Sequence, residues 1–206
     1  KLSGTGSEEL TVFVEDEVGR SIINNALPAS IKKRLNIISI GSDQAVLMQL
    51  AARYKENKCN CIAFLDGDRV GLKAQQFRQF KKYLEDKFDD ENILNKWFNQ
   101  RLNCLPGSTW PENWLIEQAS EHISFKLSKL WRISEEEVLE SCNKAILAGK
   151  HNEFFEMANT VAVEQKQILS DIVRCLVDEI PKEFSYIEQV ISSTLETSEV
   201  NIQRTK

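Results

Sequence analysis

Two carboxylates separated by one glycine, Asp66-Gly67-Asp68, follow directly on the apolar run Cys61-Ile62-Ala63-Phe64-Leu65. On an extended segment, residues i and i+2 project to the same side. A glycine between them lets the backbone turn where a strand ends. Like charges this close repel, and a shared hard cation such as Mg²⁺ turns that repulsion into binding. Metal binding is therefore the chemistry expected of the pair. Glu15 closes a second apolar run, Leu10-Thr11-Val12-Phe13-Val14, and Glu112 follows the turn-rich Pro106-Gly107-Ser108-Thr109-Trp110-Pro111. In an open parallel sheet, ligands bind outside the carboxyl ends of the strands. Four acids at strand ends or in the loops beyond them would share one edge, a cage with open positions for water and phosphate oxygens. Taken singly, each acid reads as a solvated surface group or a helix cap rather than as a ligand. Asp16 and Glu17 suit the positive end of the helix they begin. The joint pattern carries the functional expectation.

The elements that must place these acids are legible in the apolar pattern. Leu10 to Val14 reads as a buried strand, followed by a helix over 17–26 that Pro28 ends. A second strand over 35–40 stops at Gly41, and Ser42 or Asp43 caps a helix running to 55. The strand into Asp66 is third. Strands separated by helices make βαβ units and hence a mostly parallel sheet. A charged helix is expected over 72–87, a loop over 85–92, and a short fourth strand over 102–105. From Pro111 onward the pattern is helical, over 116–122, 134–147, 154–159, 163–179 and 186–195, with Ser134-Glu135-Glu136-Glu137 in the form of a capping box. The stripe Val161, Ile168, Ile172, Cys175 and Leu176 reads as core packing. The division expected is a linker or expression remnant over 1–9, rich in Gly and Ser, then an α/β domain over 10–120 and a helical subdomain over 121–206.

Composition narrows the function classes. The 206 residues carry a formal net charge of −5, which argues against a surface coated for nucleic acid but leaves room for a local basic groove. No apolar run approaches the roughly 18–20 residues that span a bilayer, and no signal-peptide core is visible. No membrane partner is expected. Five cysteines, at 59, 61, 104, 142 and 175, and two histidines, His122 and His151, lack zinc-ribbon or zinc-finger spacing. An odd number of thiols with apolar neighbours suits a reducing, cytoplasmic location rather than a disulfide framework. The start of the chain, without Met, reads as a piece of a longer protein.

With these residues in place, a family resemblance enters. Val12-Phe13-Val14-Glu15-Asp16-Glu17, Ala63-Phe64-Leu65-Asp66-Gly67-Asp68, and Leu105-Pro106-Gly107 with Pro111-Glu112 resemble the Toprim domain, above all that of the OLD-family (overcoming lysogenization defect) nucleases. Gly149-Lys150-His151-Asn152-Glu153-Phe154-Phe155 is similar to a stretch of their helical tail. The resemblance implies a Toprim-like (Rossmann-like), mostly parallel sheet flanked by helices and followed by a helical C-terminal subdomain. It implies a nuclease that cuts DNA by a two-metal route, lying C-terminal to an ABC-type ATPase and acting in anti-phage defence, with a homodimer or an accessory defence protein as further partners. Glu15 would be the first-strand acid, Asp66 and Asp68 the paired ligands, and Glu112 a ligand of a second ion. Lys150 would be the basic residue facing the scissile phosphate. The cofactor implied is Mg²⁺ or Mn²⁺, two ions, with Ca²⁺ as an inactive substitute. Two departures leave the second ion's ligand set open. Asp16 stands where many Toprim sequences have Gly, and Gly19 stands where an acid is common.

Rival readings stay open at this level. A response-regulator receiver would use Glu15-Asp16-Glu17 as its acidic cluster and Asp66 as phospho-acceptor, but it leaves Asp68 and the helical tail without a task. A non-catalytic interaction module is the other. His151 is expected to pack or cap. Of the four tryptophans, Trp110 is the one placed to stack on a base.

Overall fold

The computed structural model describes residues 9–85, 88 and 90–204, with side chains described to Thr197. The expected linker therefore lies outside the described residues, except Glu9. The Glu9 N–H donates to the Arg34 carbonyl at 2.8 Å, and its carboxylate receives the Arg34 guanidinium, which ties Glu9 to the domain. Four strands, β1 (Leu10–Val14), β2 (Leu35–Ser39), β3 (Cys61–Leu65) and β4 (Leu102–Cys104), form one parallel sheet in the order β2-β1-β3-β4. Val14 stands opposite Ser39 on one side and Phe64 on the other, so β1 and β3 end nearly level.

Both faces of the sheet are covered, which is why its central strands are continuous apolar runs rather than alternating ones. Leu10, Val12, Val14, Ile62 and Phe64 enter one core, while Phe13, Cys61, Ala63 and Leu65 enter the other. The first face packs on α1 (Glu17–Ala26), whose first turn Asp16 caps by accepting the Val18 and Gly19 N–H groups at 2.9 and 3.0 Å. A short α2 (Ala29–Lys32) leads into β2. The second face packs on α3 (Asp43–Lys55), capped by Ser42, then on α4 (Lys73–Tyr83) and α5 (Glu91–Arg101). A nest of rings, Tyr54, Phe77, Phe80, Trp97 and Phe98, closes that layer, with Phe80 and Trp97 stacked at 5.9 Å.

Two expectations change here. The helix expected over 72–87 begins as a 3₁₀ segment, Gly67–Leu72, and its regular α part ends at Tyr83; residues 86, 87 and 89 lie outside those described. The loop expected over 85–92 runs into α5, which sequence reading passed over. Its exposed positions are Glu91, Asn92, Ile93, Asn95, Lys96, Asn99 and Gln100, but Leu94, Phe98 and Arg101 fall at helical spacing on the buried side and Asp90 caps its start. Burial of three side chains outweighs weak intrinsic propensity.

The helical remainder belongs to the first face. α6 (Pro111–Gln118) continues through a π-turn, Ala119–Ile123, into α7 (Ser124–Trp131). Then come α8 (Glu135–Ala148), α9 (Glu153–Val161), α10 (Gln165–Glu179) and α11 (Pro181–Arg204). The expected capping box is formed: Ser134 accepts the Glu137 N–H, and Glu137 accepts the Ser134 N–H at 2.7 Å. Ile168, Ile172 and Leu176 are fully buried in one core shared by the sheet, α1 and the later helices. The Trp114 ring meets Phe184 edge-on at 5.7 Å, and the Tyr186 hydroxyl donates to the Cys104 carbonyl, so α11 is fastened beside β4. This is the α/β, Toprim-like class expected. No helix among the described residues is long and apolar enough to cross a membrane.

Candidate metal centre

The sheet order reverses between β1 and β3, with β2 added on one side of β1 and β3 and β4 on the other, and that switch point is the place where a crevice opens beyond the strand ends. Glu15 leaves β1 there and Asp66 leaves β3. Glu15 Oε1 accepts the Asp66 N–H at 2.8 Å, a contact between residues 51 positions apart. Asp68 does not share an extended segment with Asp66. The chain turns into the 3₁₀ segment at Gly67, and Asp68 reaches the crevice from its first turn.

That turn lies directly on the loop after β4. A Cβ on Gly67 would stand 2.8 Å from the carbonyl oxygens of both Pro106 and Gly107. Gly107 has φ +94, and a Cβ there would lie 2.6 Å from the Trp114 ring. Two glycines thus allow the β3 and β4 loops to touch, which brings Glu112, on the first turn of α6, to the same crevice. Gly19 is also confined: a Cβ on it would meet Leu105 and Val14 at 3.2 and 3.3 Å. A side chain there would need Leu105 and Val14 to give by a few tenths of an ångström.

The electrostatics follow from this crowding. Asp66 is 9% exposed. Burial first, and then repulsion from Glu15, Asp16, Glu112 and Asp68, push its carboxyl up to about 8. Glu15 is raised by burial, opposed by the Asp66 N–H, with Asp43 and Asp68 raising it and Arg69 lowering it. Glu112 is raised by burial and by Asp16 and Glu153, against a lowering from its own backbone hydrogen bond and from His151. Asp16, although it caps α1, therefore bears on two of the acids. Glu17 turns away to Ser39, 2.8 Å distant.

Oxygens without partners separate these acids from an ordinary buried carboxylate. Asp171, 2% exposed in α10, accepts from Trp131, Gln167 and Arg174 at 2.8–3.1 Å. Its burial is explained by structure alone. Asp66 Oδ1 and Glu153 Oε2 are buried with no hydrogen-bond donor, while Asp68 Oδ1 is met only by the Arg69 Nε, 3.4 Å away. Buried acceptors of this kind are costly unless something positive meets them. An all-oxygen donor set is the chemistry that Mg²⁺ and Mn²⁺ prefer. Among the described residues, no three carboxylate, imidazole or thiol groups stand close enough to enclose an ion as the side chains lie. Ligation by three of them would require rotamer changes.

Cations rim the acids. Lys150 Nζ lies 4.0 Å from Asp68 Oδ2 and 5.8 Å over the Trp110 ring. The Trp110 indole donates to Glu153, so its N–H edge is engaged, and Lys150 lies over one side of the ring. His151 neither packs nor caps: it is 71% exposed in a left-handed turn (φ 73), with Nδ1 3.9 Å from Glu112 Oε1. Two members of the crevice, Arg69 and Glu153, were not singled out in the sequence as site residues. Arg69 lies 3.4 Å from Asp68 and 3.6 Å from Asp43, and Glu153 is 1% exposed behind Glu112. Arg69 immediately follows Asp68 and Glu153 closes Lys150-His151-Asn152-Glu153, so adjacency was the available signal.

No protein-family model and no curated protein matches the sequence. Solved structures do. The C-terminal region of the OLD protein of Xanthomonas campestris pv. campestris, phased with platinum, superposes with a TM-score of 0.52 at 10% identity, covering 97% of this chain and 98% of that one. The mercury-phased structure of the same region gives 0.51 at 12% identity over 94% and 98%. The iodine-phased one gives 0.51 at 11% over 95% and 98%. The chain has the fold of that region from its sheet through its helical tail.

Proposed function

We propose that this chain is the nuclease domain of an OLD-family ATPase–nuclease of anti-phage defence, hydrolysing DNA phosphodiester bonds with two divalent ions. The observation that carries the reading is the buried, donor-free Oδ1 of Asp66, crowded by Glu15, Asp16, Glu112 and Asp68 in one crevice at the switch point of the sheet. The likeness to the OLD C-terminal region supports the family assignment. Glu15, Asp66 and Asp68 hold the first ion. Glu112 holds the second, with Asp16 and Glu153, the carboxylates that repel it, available to complete the set. Bound there, two hard cations would supply an activated water and neutralise charge on the phosphate and leaving oxygen. Arg69 steadies Asp68 from behind, and the Trp110 indole fixes Glu153.

Lys150 is a compact cation at the mouth of the crevice, suited to a non-bridging phosphate oxygen as charge develops there. Lys150→Met should lower single-turnover cleavage about 10²–10³-fold, the usual range for loss of one charge-stabilising donor. Its melting temperature should stay at the parent value, because the side chain is half exposed. Equal cleavage rates for parent and variant would remove Lys150 from the mechanism.

The direct test is metal. Crystals soaked in Mn²⁺ should show anomalous peaks beside Asp66 and Glu112. Plasmid nicking should require Mn²⁺ or Mg²⁺ and stop with EDTA. Absence of peaks at these carboxylates, or cleavage indifferent to EDTA, would overturn the assignment. The strand order alone is equally that of the first four strands of a receiver-type sheet, with Asp66 as phospho-acceptor. Labelling of Asp66 by acetyl phosphate, without metal-dependent cleavage, would favour that reading instead.

A further inference from the structure

Three concavities lie on the β4 side of the sheet, linked to one another by shared lining residues, and the first of them reaches the loop beside the crevice. The first, about 510 Å³, begins at Pro106 and Gly107 and runs between the start of α4 and the start of α11. It shares Lys73 with a second, about 590 Å³, along the α4–α5 seam. It shares Asn103 with a third, about 400 Å³, between the end of α5 and α11. The lining is amide- and hydroxyl-rich, with Asn95, Asn99, Gln100 and Ser193, and its cations outnumber its acids. Of the two acids, Glu91 is paired to Lys81 at 2.8 Å and Glu183 stands beside Lys182. Asn103, where two of the hollows meet, carries a side-chain amide nitrogen with no hydrogen-bond partner. The sequence signal is equally local. From Arg69 to Leu84 the chain has five cations and no acid, in a protein of net charge −5.

We infer that this groove is the track of the DNA strand leaving the scissile position, its phosphates met by Lys73, Arg78 and Lys182. The inference rests on the nuclease reading above for its ligand and adds where that ligand lies. A phosphodiester chain is the polyanion such a surface suits, and the groove opens at the Gly107 loop that also floors the acid crevice. From Lys73 to Lys81 the α4 helix rises about 12 Å, a span of about three phosphates at the roughly 3.4 Å rise of one duplex strand. Backbone contacts of this type set register without reading sequence.

Binding of a labelled DNA duplex to the 206-residue protein, followed by anisotropy across a salt series in Ca²⁺ and again in EDTA, tests the track without any cleavage. The triple variant K73Q/R78Q/K182Q should bind at least tenfold more weakly near 0.1 M salt. Its plot of log affinity against log salt should be shallower by about two to three, close to one for each lost phosphate contact. Lys129→Gln and Lys144→Gln, on α7 and α8 and lining none of these hollows, should leave affinity and slope at parent values. Melting curves of all variants should coincide, since every substituted side chain is exposed. A triple variant with the parent's affinity and slope overturns the track, as does a parent that binds no DNA. Groove-dependent binding by a parent that fails to cut DNA in Mn²⁺ overturns the nuclease reading and leaves the track standing.

Discussion

Asp66→Asn should abolish Mn²⁺-dependent DNA cleavage, by at least about 10³-fold, and yet raise the melting temperature of the metal-free protein at neutral pH. Activity falls because an amide cannot serve as an anionic oxygen ligand. Stability rises because burial among other acids makes the parent keep a proton on Asp66 that the unfolded chain releases. In the fold its pKa is pushed from the ordinary 3.8 to about 8, so between those values the folded state holds a proton that the unfolded chain has released. The sign follows: unfolding becomes easier as pH climbs through that window, and the penalty levels off above about 8. At pH 8 the variant should gain about 1–4 kcal/mol over the parent, on the order of 5 °C in melting temperature for a chain of this size. Near pH 4 the gain should vanish. Mn²⁺ should reverse the ranking by stabilising the parent alone, with protons released as it binds. Thermal melts from pH 4 to 8, with EDTA and with Mn²⁺, decide it. A variant no more stable than the parent at pH 8 in EDTA would mean that Asp66 carries no such strain.

Gly67→Ala should be nearly as damaging to cleavage without touching any acid. Its new methyl would stand 2.8 Å from two carbonyl oxygens and 3.0 Å from the Gly107 carbonyl carbon. Backbone atoms cannot swing aside as a side-chain tip can, so the β3 and β4 loops must part. Overpacking of this kind costs about 1–3 kcal/mol. Asp66 and Asp68 would then be displaced from Glu112, and misplacement of about 1 Å is enough for a 10²-fold loss of rate. Mn²⁺ affinity measured by calorimetry should weaken together with cleavage. Full activity in the variant would show that contact between the two loops is not what sets the distances among the acids. Gly107→Ala should behave similarly for a second reason, since φ +94 is strained for any L side chain.

The two predictions share one design: the stability that Asp66 withholds from the empty fold is what makes it a strong ligand. Asp171 offers the contrast within the same molecule, a buried acid whose oxygens are met by Trp131, Gln167 and Arg174 and whose environment asks for nothing more.

How far the sequence could be read depended on the range of the forces involved. The strands ending in Glu15 and Asp66 are continuous apolar runs stopped by polar and glycine residues, a signal confined to five or six neighbours. Ser134 and Glu137 announced their own helix for the same reason. α5 was hidden because its identity rests on Leu94 and Phe98 being buried beneath Phe77 and Phe80, residues on another element. Arg69 and Glu153 looked like surface charge until folding set them behind Asp68 and Glu112.

Local chemistry thus told which residues close each strand and that they are acids, because chain stiffness, turn glycines and side-chain alternation act between neighbours. It did not tell that β1 lies beside β3, that Gly67 rests on Gly107, or that α8 and α9 deliver Lys150 and Glu153 to the far side of the crevice. Those relations span tens of residues and are chosen when the two cores close over the sheet, since burial rewards whichever arrangement excludes water best and leaves no record in any single stretch of chain.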